Sequence, residues 1–302
     1  MRPGRRDRAL RAVVSSAVLA LVTLTAGGAR ADDSTAHELR HNVGLDLAVI
    51  GGSVGLVLAS EYFAIIKPQH CRWCDRSGDE DRLNGLDRWA RKSLRWNDPR
   101  SAQFASGVTA FLLQPAAATF EMIAASTADR AGRAFPVDFL IISEAIAVST
   151  LLNQMTKILV ARERPFVHHL PAEERKKTAL PSDNNVSFYS GHTTLGFTLA
   201  AAAGTVATLR GYRLMPLVWS TLMPLAATTG FLRIAADKHY FTDVVVGAVV
   251  GTAVGVLLPV LFHGRDGDAL VPDSTGLAEP TTGSVPTPSR TLPSMVTIGG
   301  GF

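Results

Sequence analysis

Six apolar runs divide the chain, near Val43 to Ile66, Ala102 to Ala125, Val137 to Val160, Phe188 to Leu209, Leu214 to Leu232 and Thr242 to Phe262. Each is long enough to span, or nearly span, a bilayer as a helix, since about 20 apolar residues cross the hydrocarbon core. Several carry polar residues: Asp46, Glu61, Gln114, Glu121, Glu144, Asn153 and Gln154. In lipid such groups should face the interior of a bundle, where they find partners. They also weaken the spanning case, so a soluble all-helical bundle stays open. Gly247, Gly251 and Gly255 stand four apart in the last run. That spacing lets helices approach closely in lipid and tips the balance toward the membrane. The pattern predicts an all-α fold, a six-helix membrane bundle.

Both ends differ from this middle. Arg2, Arg5, Arg6, Arg8 and Arg11 precede an apolar stretch from Ala12 to Thr25 and then Ala29-Arg-Ala31. This is the order of a secretory signal peptide with an A-x-A cleavage site, with an uncleaved anchor as the alternative. Beyond Phe262 the chain turns Gly-, Pro-, Ser- and Thr-rich and has too little apolar surface to order itself. The expected organisation is a signal peptide at 1–31, a helical domain at 32–263 and a tail at 264–302.

The loop from Lys67 to Arg100 is strongly charged and holds the two cysteines, Cys71 and Cys74. One C-x2-C supplies two of the four ligands of a structural zinc site, so a local disulfide or a reduced pair is expected instead. Leu83 to Trp96 places Leu86, Trp89, Ala90 and Leu94 among Arg88, Arg91, Lys92 and Arg95. It reads as an amphipathic helix on a membrane surface, or equally as a solvated connector.

Composition agrees with the apolar pattern: 47% hydrophobic against 19% charged residues leans toward a membrane protein. The formal charge of +4 is spread over that loop and a few short polar islands, without a basic run interleaved with aromatics. It fits phosphate chemistry and a membrane surface as partners, and no nucleic acid.

Three polar islands hold the candidate chemistry. In the first, Lys157 and Arg164 are seven apart, about two helical turns, so they should point the same way before Pro165 ends the helix. In the second, Ser190-Gly191-His192 opens an apolar run, where helix-start N–H groups are free to hold an anion. In the third, Arg233 precedes His239 and Asp243, which are four apart. If the following helix begins near Tyr240 or earlier, they share one face and Asp243 can hold the His239 ring, fixing its tautomer. Three cations, an amide nest and two histidines make an inventory for phosphoryl transfer through a phosphohistidine.

In this order, Lys-x6-Arg-Pro, Ser-Gly-His and Arg-x5-His-x3-Asp resemble the signature of the type 2 phosphatidic acid phosphatase (PAP2) and vanadium haloperoxidase superfamily, over about residues 40 to 262. The resemblance implies that Lys157, Arg164 and Arg233 hold the phosphate and that Ser190 and Gly191 add hydrogen bonds. It further implies that His239 is the nucleophile, that His192 protonates the leaving group and that Asp243 orients His239. Tyr189 stands where proline is usual and Leu232 where serine is usual; neither carries chemistry, so they bear on substrate subtype.

The expected activity is metal-independent hydrolysis of a phosphomonoester or diphosphate, on a lipid phosphate such as phosphatidate or a prenyl diphosphate, with no cofactor. A soluble periplasmic acid phosphatase or phosphotransferase using the same histidine is the alternative among enzymes. A transporter or binding protein for phosphorylated lipids is the alternative outside them. For location, alternation through six spans after a cleaved signal puts the motifs in the cytoplasm, whereas the resemblance favours the extracytoplasmic face. We give the resemblance more weight, and expect a multi-pass protein of the cell inner membrane with a periplasmic site.

Overall fold

A computed structural model describes residues 36–265 apart from 63–67, 69, 78, 79 and 176. The expected signal peptide, and the tail beyond Arg265, lie outside the described residues. The described residues are mostly helical, as the long apolar runs predict. The long elements are α1 (Val43–Tyr62), α3 (Pro99–Val108), α4 (Gln114–Ala128), α5 (Phe135–Val160), α6 (Gly191–Arg210), α7 (Met215–Ala235) and α8 (Phe241–His263), with a shorter α2 (Gly85–Leu94) before α3. A two-residue hairpin, β1 (Arg76–Ser77) with β2 (Glu80–Asp81), sits in the first polar loop.

Helices α3 and α4 form one apolar rod joined by a π-helical turn at Thr109–Leu113. The cause is local: Pro115 has no N–H and its ring crowds the carbonyl four residues back, so the helix widens just before it. That turn places Phe111 against His192, with ring centroids 4.9 Å apart.

Among the described residues five stretches are long and apolar enough to cross a membrane: α1, the α3–α4 rod, Gly132–Val160, α7 and α8. Large apolar side chains such as Leu45, Phe104, Phe120, Leu159, Val249 and Phe262 point outward from them. An exposed apolar belt of this extent suits lipid, not water. The fourth apolar run differs from the other five. Helix α6 is the axis of the bundle, with 14 of its 20 residues buried. Enclosed by α5, α7 and α8, it is built from Ala, Gly and Thr in place of large aliphatics.

Close packing explains the glycine spacing. A Cβ on Gly247, Gly251 or Gly255 of α8 would come within 2.9, 2.6 or 2.7 Å of the Ser190, Thr194 or Thr198 carbonyl oxygen of α6. The polar residues of the spans divide into three kinds. Glu121 and Gln154 are half-buried. Asp46, Gln114, Glu144 and Asn153 are buried as expected. Glu61 instead lies exposed at the end of α1, where Gln154 donates to it at 2.8 Å.

Candidate active site

The site forms at one end of the bundle, where α5 and α7 end and α6 and α8 begin. Helix α5 stops at Ala161, which takes a left-handed conformation (φ 50°), four residues ahead of Pro165. Lys157 therefore lies in its last turn, whereas Arg164 stands in extended backbone as the N-cap of the one-turn helix Pro165–His168. The expected shared helical face does not form. The fold brings Lys157 and Arg164 into electrostatic reach of each other by the turn, not by helical period.

Arg164 is buried. Its Nε donates to the Asp183 carbonyl at 2.8 Å, its Nη2 pairs with the Asp183 carboxylate at 3.2 Å, and its Nη1 donates to the Lys238 carbonyl at 3.2 Å. The same Nη1 lies 3.5 Å from His239 Nε2. Arg233, in the last turn of α7, donates from Nη1 to Ser106 Oγ of α3 at 3.1 Å. Its Nε is buried and has no acceptor among the described residues, and a buried guanidinium N–H is a strong donor to an anion. Gly191 is needed for contact: a Cβ there would stand 2.9 Å from Lys157 Nζ and 2.8 Å from Asn153 Oδ1. Ser190 caps α6, its N–H donating to the Asp243 carbonyl at 3.1 Å and its hydroxyl accepting from Thr193 at 2.8 Å.

His239 precedes α8, which begins at Phe241 with Tyr240 as its N-cap. Its Nδ1 lies 2.8 Å from the Ser187 carbonyl and 3.7 Å from Asp243 Oδ2. A carbonyl only accepts, so Nδ1 carries the hydrogen and Nε2 keeps its lone pair. The expected His239–Asp243 hydrogen bond is replaced by this backbone contact, because Asp243 is engaged elsewhere. Its Oδ2 accepts from Ser187 Oγ at 2.6 Å and from the Tyr240 N–H at 3.0 Å, closing a capping box. Its Oδ1 accepts from Arg162 at 2.6 Å.

Burial, then the charges of Arg164, Arg233 and Lys157, hold the His239 ring pKa well below its ordinary value. The three cations thus converge on one neutral imidazole. His192, in the first turn of α6, stands within electrostatic reach of Arg233, His239, Lys157 and Arg164.

Sequence patterns did not single out Arg162, although it lies inside the first polar island. It is wholly buried and serves three carboxylates: Asp75 at 2.8 Å, Asp87 at 2.8 Å and Asp243 at 2.6 Å. The Trp73 and Tyr240 rings cover its two faces at 4.2 and 4.0 Å. Burial alone would lower its pKa, but Asp243 and the hydrogen-bonded Asp87 push it up. Asp87 comes from α2, the helix expected on a membrane surface. Leu86 and Trp89 of α2 do face outward, while Asp87 turns inward and accepts from the Thr242 N–H at 2.8 Å. Cys71 and Cys74 form a disulfide beside Trp73, on the same face as the site.

Residues 138–266 match the PAP2 superfamily. This segment belongs to that superfamily. The PAP2 match contains all eight candidate site residues of the three motifs, but not Asp75, Asp87, Ser106 or Phe111, which α2, α3 and their loops bring to the same place. A similar solved structure is the "first transmembrane PAP2 type phosphatidylglycerolphosphate phosphatase from Bacillus subtilis", at 18% identity and a TM-score of 0.40, over 70% of this chain and 93% of that one. No curated protein matches the chain.

Proposed function

We propose that this protein is a membrane-bound, metal-independent phosphatase that cleaves a phosphomonoester or diphosphate through a phosphohistidine. The observation that carries this reading is His239. Its Nδ1 hydrogen is tied to the Ser187 carbonyl, its Nε2 keeps its lone pair with Arg164 Nη1 3.5 Å away, and Lys157, Arg164 and Arg233 converge on it. Nε2 attacks phosphorus, the bond to the leaving oxygen breaks, and His192, which burial and the surrounding cations keep neutral until the substrate's negative charge offsets those cations, gives that oxygen its proton once protonated. Water then attacks the phosphohistidine, returning a proton to His192 and releasing inorganic phosphate. The cations, the buried Arg233 Nε and the α6 N-terminal amides at Gly191 neutralise charge on the equatorial oxygens as it develops.

A groove of about 720 Å³ along one face of α3, lined by Arg100, Gln103, Phe104, Gly107, Val108, Phe111 and Leu112, supports a lipid substrate. It ends at Phe111, which touches His192. A lipid phosphate, such as phosphatidate or a prenyl diphosphate, can lie there with its chain in the groove and its phosphate on the cations.

For the site's location we propose the periplasmic face of the inner membrane, since the Cys71–Cys74 disulfide on the same face suits an oxidising compartment. Residues 36–42 precede α1, whose far end meets the site end of α5, so they sit at the opposite end of the bundle. A periplasmic site and a translocated residue 36 are therefore exclusive, and the proposal keeps the former.

The test is phosphate release from a panel of lipid phosphates by the purified full chain in chelator, with and without vanadate. Vanadate adopts the five-coordinate geometry of the transferring phosphoryl group and is expected to block turnover. Binding of lipid phosphates without phosphate release would replace the enzyme by a carrier; release from soluble esters alone would remove the lipid.

A further inference from the structure

At the other end of the bundle lies a second group of buried chemistry that the phosphatase scheme does not use. Asp46 of α1, Glu144 of α5 and His263 at the end of α8 each offer a ligand atom, all within 4.8 Å of one another. Their residues are 3%, 7% and 2% exposed. Glu144 lies thirteen residues before Lys157, and His263 twenty after Asp243. At 1.5 Å per residue these separations place the group roughly 20 to 30 Å along the helix axes from the motifs.

Three observations point to a ligand. First, His263 Nδ1 lies 2.9 Å from the Arg40 carbonyl, which only accepts, so Nδ1 carries a hydrogen. The Nε2 of a neutral ring then has a bare lone pair, yet it lies 2.8 Å from Glu144 Oε2. Something positive must stand between them, a proton or a cation. Second, Asp46 Oδ2 is buried without a partner and adds a further negative charge to the group. In a low-dielectric place that charge needs either a second proton on Asp46 or a cation, and one divalent cation neutralises both carboxylates at once. Third, a cavity of about 540 Å³ adjoins the three side chains and is also lined by His41 and Asn42. It has room for water to complete a coordination shell.

We propose that Asp46, Glu144 and His263 bind one divalent cation of the zinc type. Two carboxylate oxygens and one imidazole nitrogen suit Zn²⁺, and the Arg40 carbonyl is the outer partner that fixes the ligating tautomer. Around a tetrahedral ion with bonds of about 2 Å the ligand atoms stand roughly 3.3 Å apart, so binding draws the Asp46 carboxylate inward and separates His263 Nε2 from Glu144 Oε2, now 2.8 Å apart, by about half an ångström. The ion joins α1 and α8 to the middle of α5 and takes no part in phosphoryl transfer.

The test is equilibrium dialysis of Zn²⁺ against the chelator-stripped full chain in detergent, with thermal unfolding run in parallel. About one Zn²⁺ per chain and a metal-dependent rise in Tm are expected. His263→Gln and Glu144→Gln should each weaken binding by at least about 100-fold and abolish the rise in Tm. Asp46→Asn, which keeps shape and removes one charge, supplies a milder variant should those two fail to fold. A wild-type chain that takes up no Zn²⁺ at micromolar concentration overturns the proposal in favour of a shared proton. Unchanged uptake by Asp46→Asn and a folded His263→Gln also overturns it, by moving the metal elsewhere.

Discussion

Arg162 Nη1 meets Asp243 Oδ1 at 2.6 Å with both side chains sealed from solvent. Asp243 thus acts less as a direct partner of His239 than as one wall of a box whose other walls are Arg162, Ser187 and the start of α8. Arg162→Met should leave three buried carboxylates unpaired. The expected cost is about 3–5 kcal/mol, seen as a large fall in Tm of the detergent-solubilised protein. Arg162→Lys should recover only part, because one ammonium cannot serve Asp75, Asp87 and Asp243 in a planar fork. An Arg162→Met protein with unchanged Tm would refute this structural role.

The two histidines should separate by leaving group. His239→Ala is expected to abolish turnover and any acid-labile, alkali-stable label transferred from a radiolabelled phosphate substrate. His192→Ala should chiefly slow formation of the intermediate, and less so for p-nitrophenyl phosphate, whose leaving oxygen needs little protonation. Asp243→Asn should lower kcat by much less than the ~10⁴-fold seen where a carboxylate alone fixes the tautomer, since here the Ser187 carbonyl does so. A histidine-linked phosphoenzyme surviving in His239→Ala would move the nucleophile to His192.

Stability should fall in mild acid because of His239. Its native pKa is held well below 6.5 by burial and by Arg164, Arg233 and Lys157. Below about pH 6.5 the unfolded chain binds a proton that the native chain refuses. Stability is thus full above that pH and drops by about 1.4 kcal/mol per unit below it, until the depressed native pKa is reached. Between pH 7.5 and 5.5, Tm should decline more steeply in the wild type than in His239→Gln. Parallel declines would show that the native ring takes up its proton as readily as a free one.

Sidedness can be read from the disulfide. After mild reduction of intact cells, a membrane-impermeant thiol reagent should label Cys71 and Cys74, which share the site's face. Labelling that appears only after lysis would place the site in the cytoplasm and restore the reading in which residue 36 is translocated.

The apolar runs set the helices and nearly all their limits, and three short motifs sufficed to name the residues of the candidate site. Both are local properties: an unbroken apolar stretch of spanning length and a fixed set of side chains at fixed spacing. The four-residue glycine repeat likewise foretold that α8 would lie close on its neighbour, because only a missing Cβ permits that approach. Other features needed the tertiary structure. Nothing in the sequence around Asp87 tells that it will be buried beneath Arg162, 75 residues later. The left-handed turn at Ala161 removes Arg164 from the helical face that its spacing from Lys157 implied. A backbone carbonyl, which every residue has and no motif can mark, displaced Asp243 as the partner of His239. Asp46, Glu144 and His263 are scattered over 218 positions, and only the packing of α1, α5 and α8 brings their ligand atoms together.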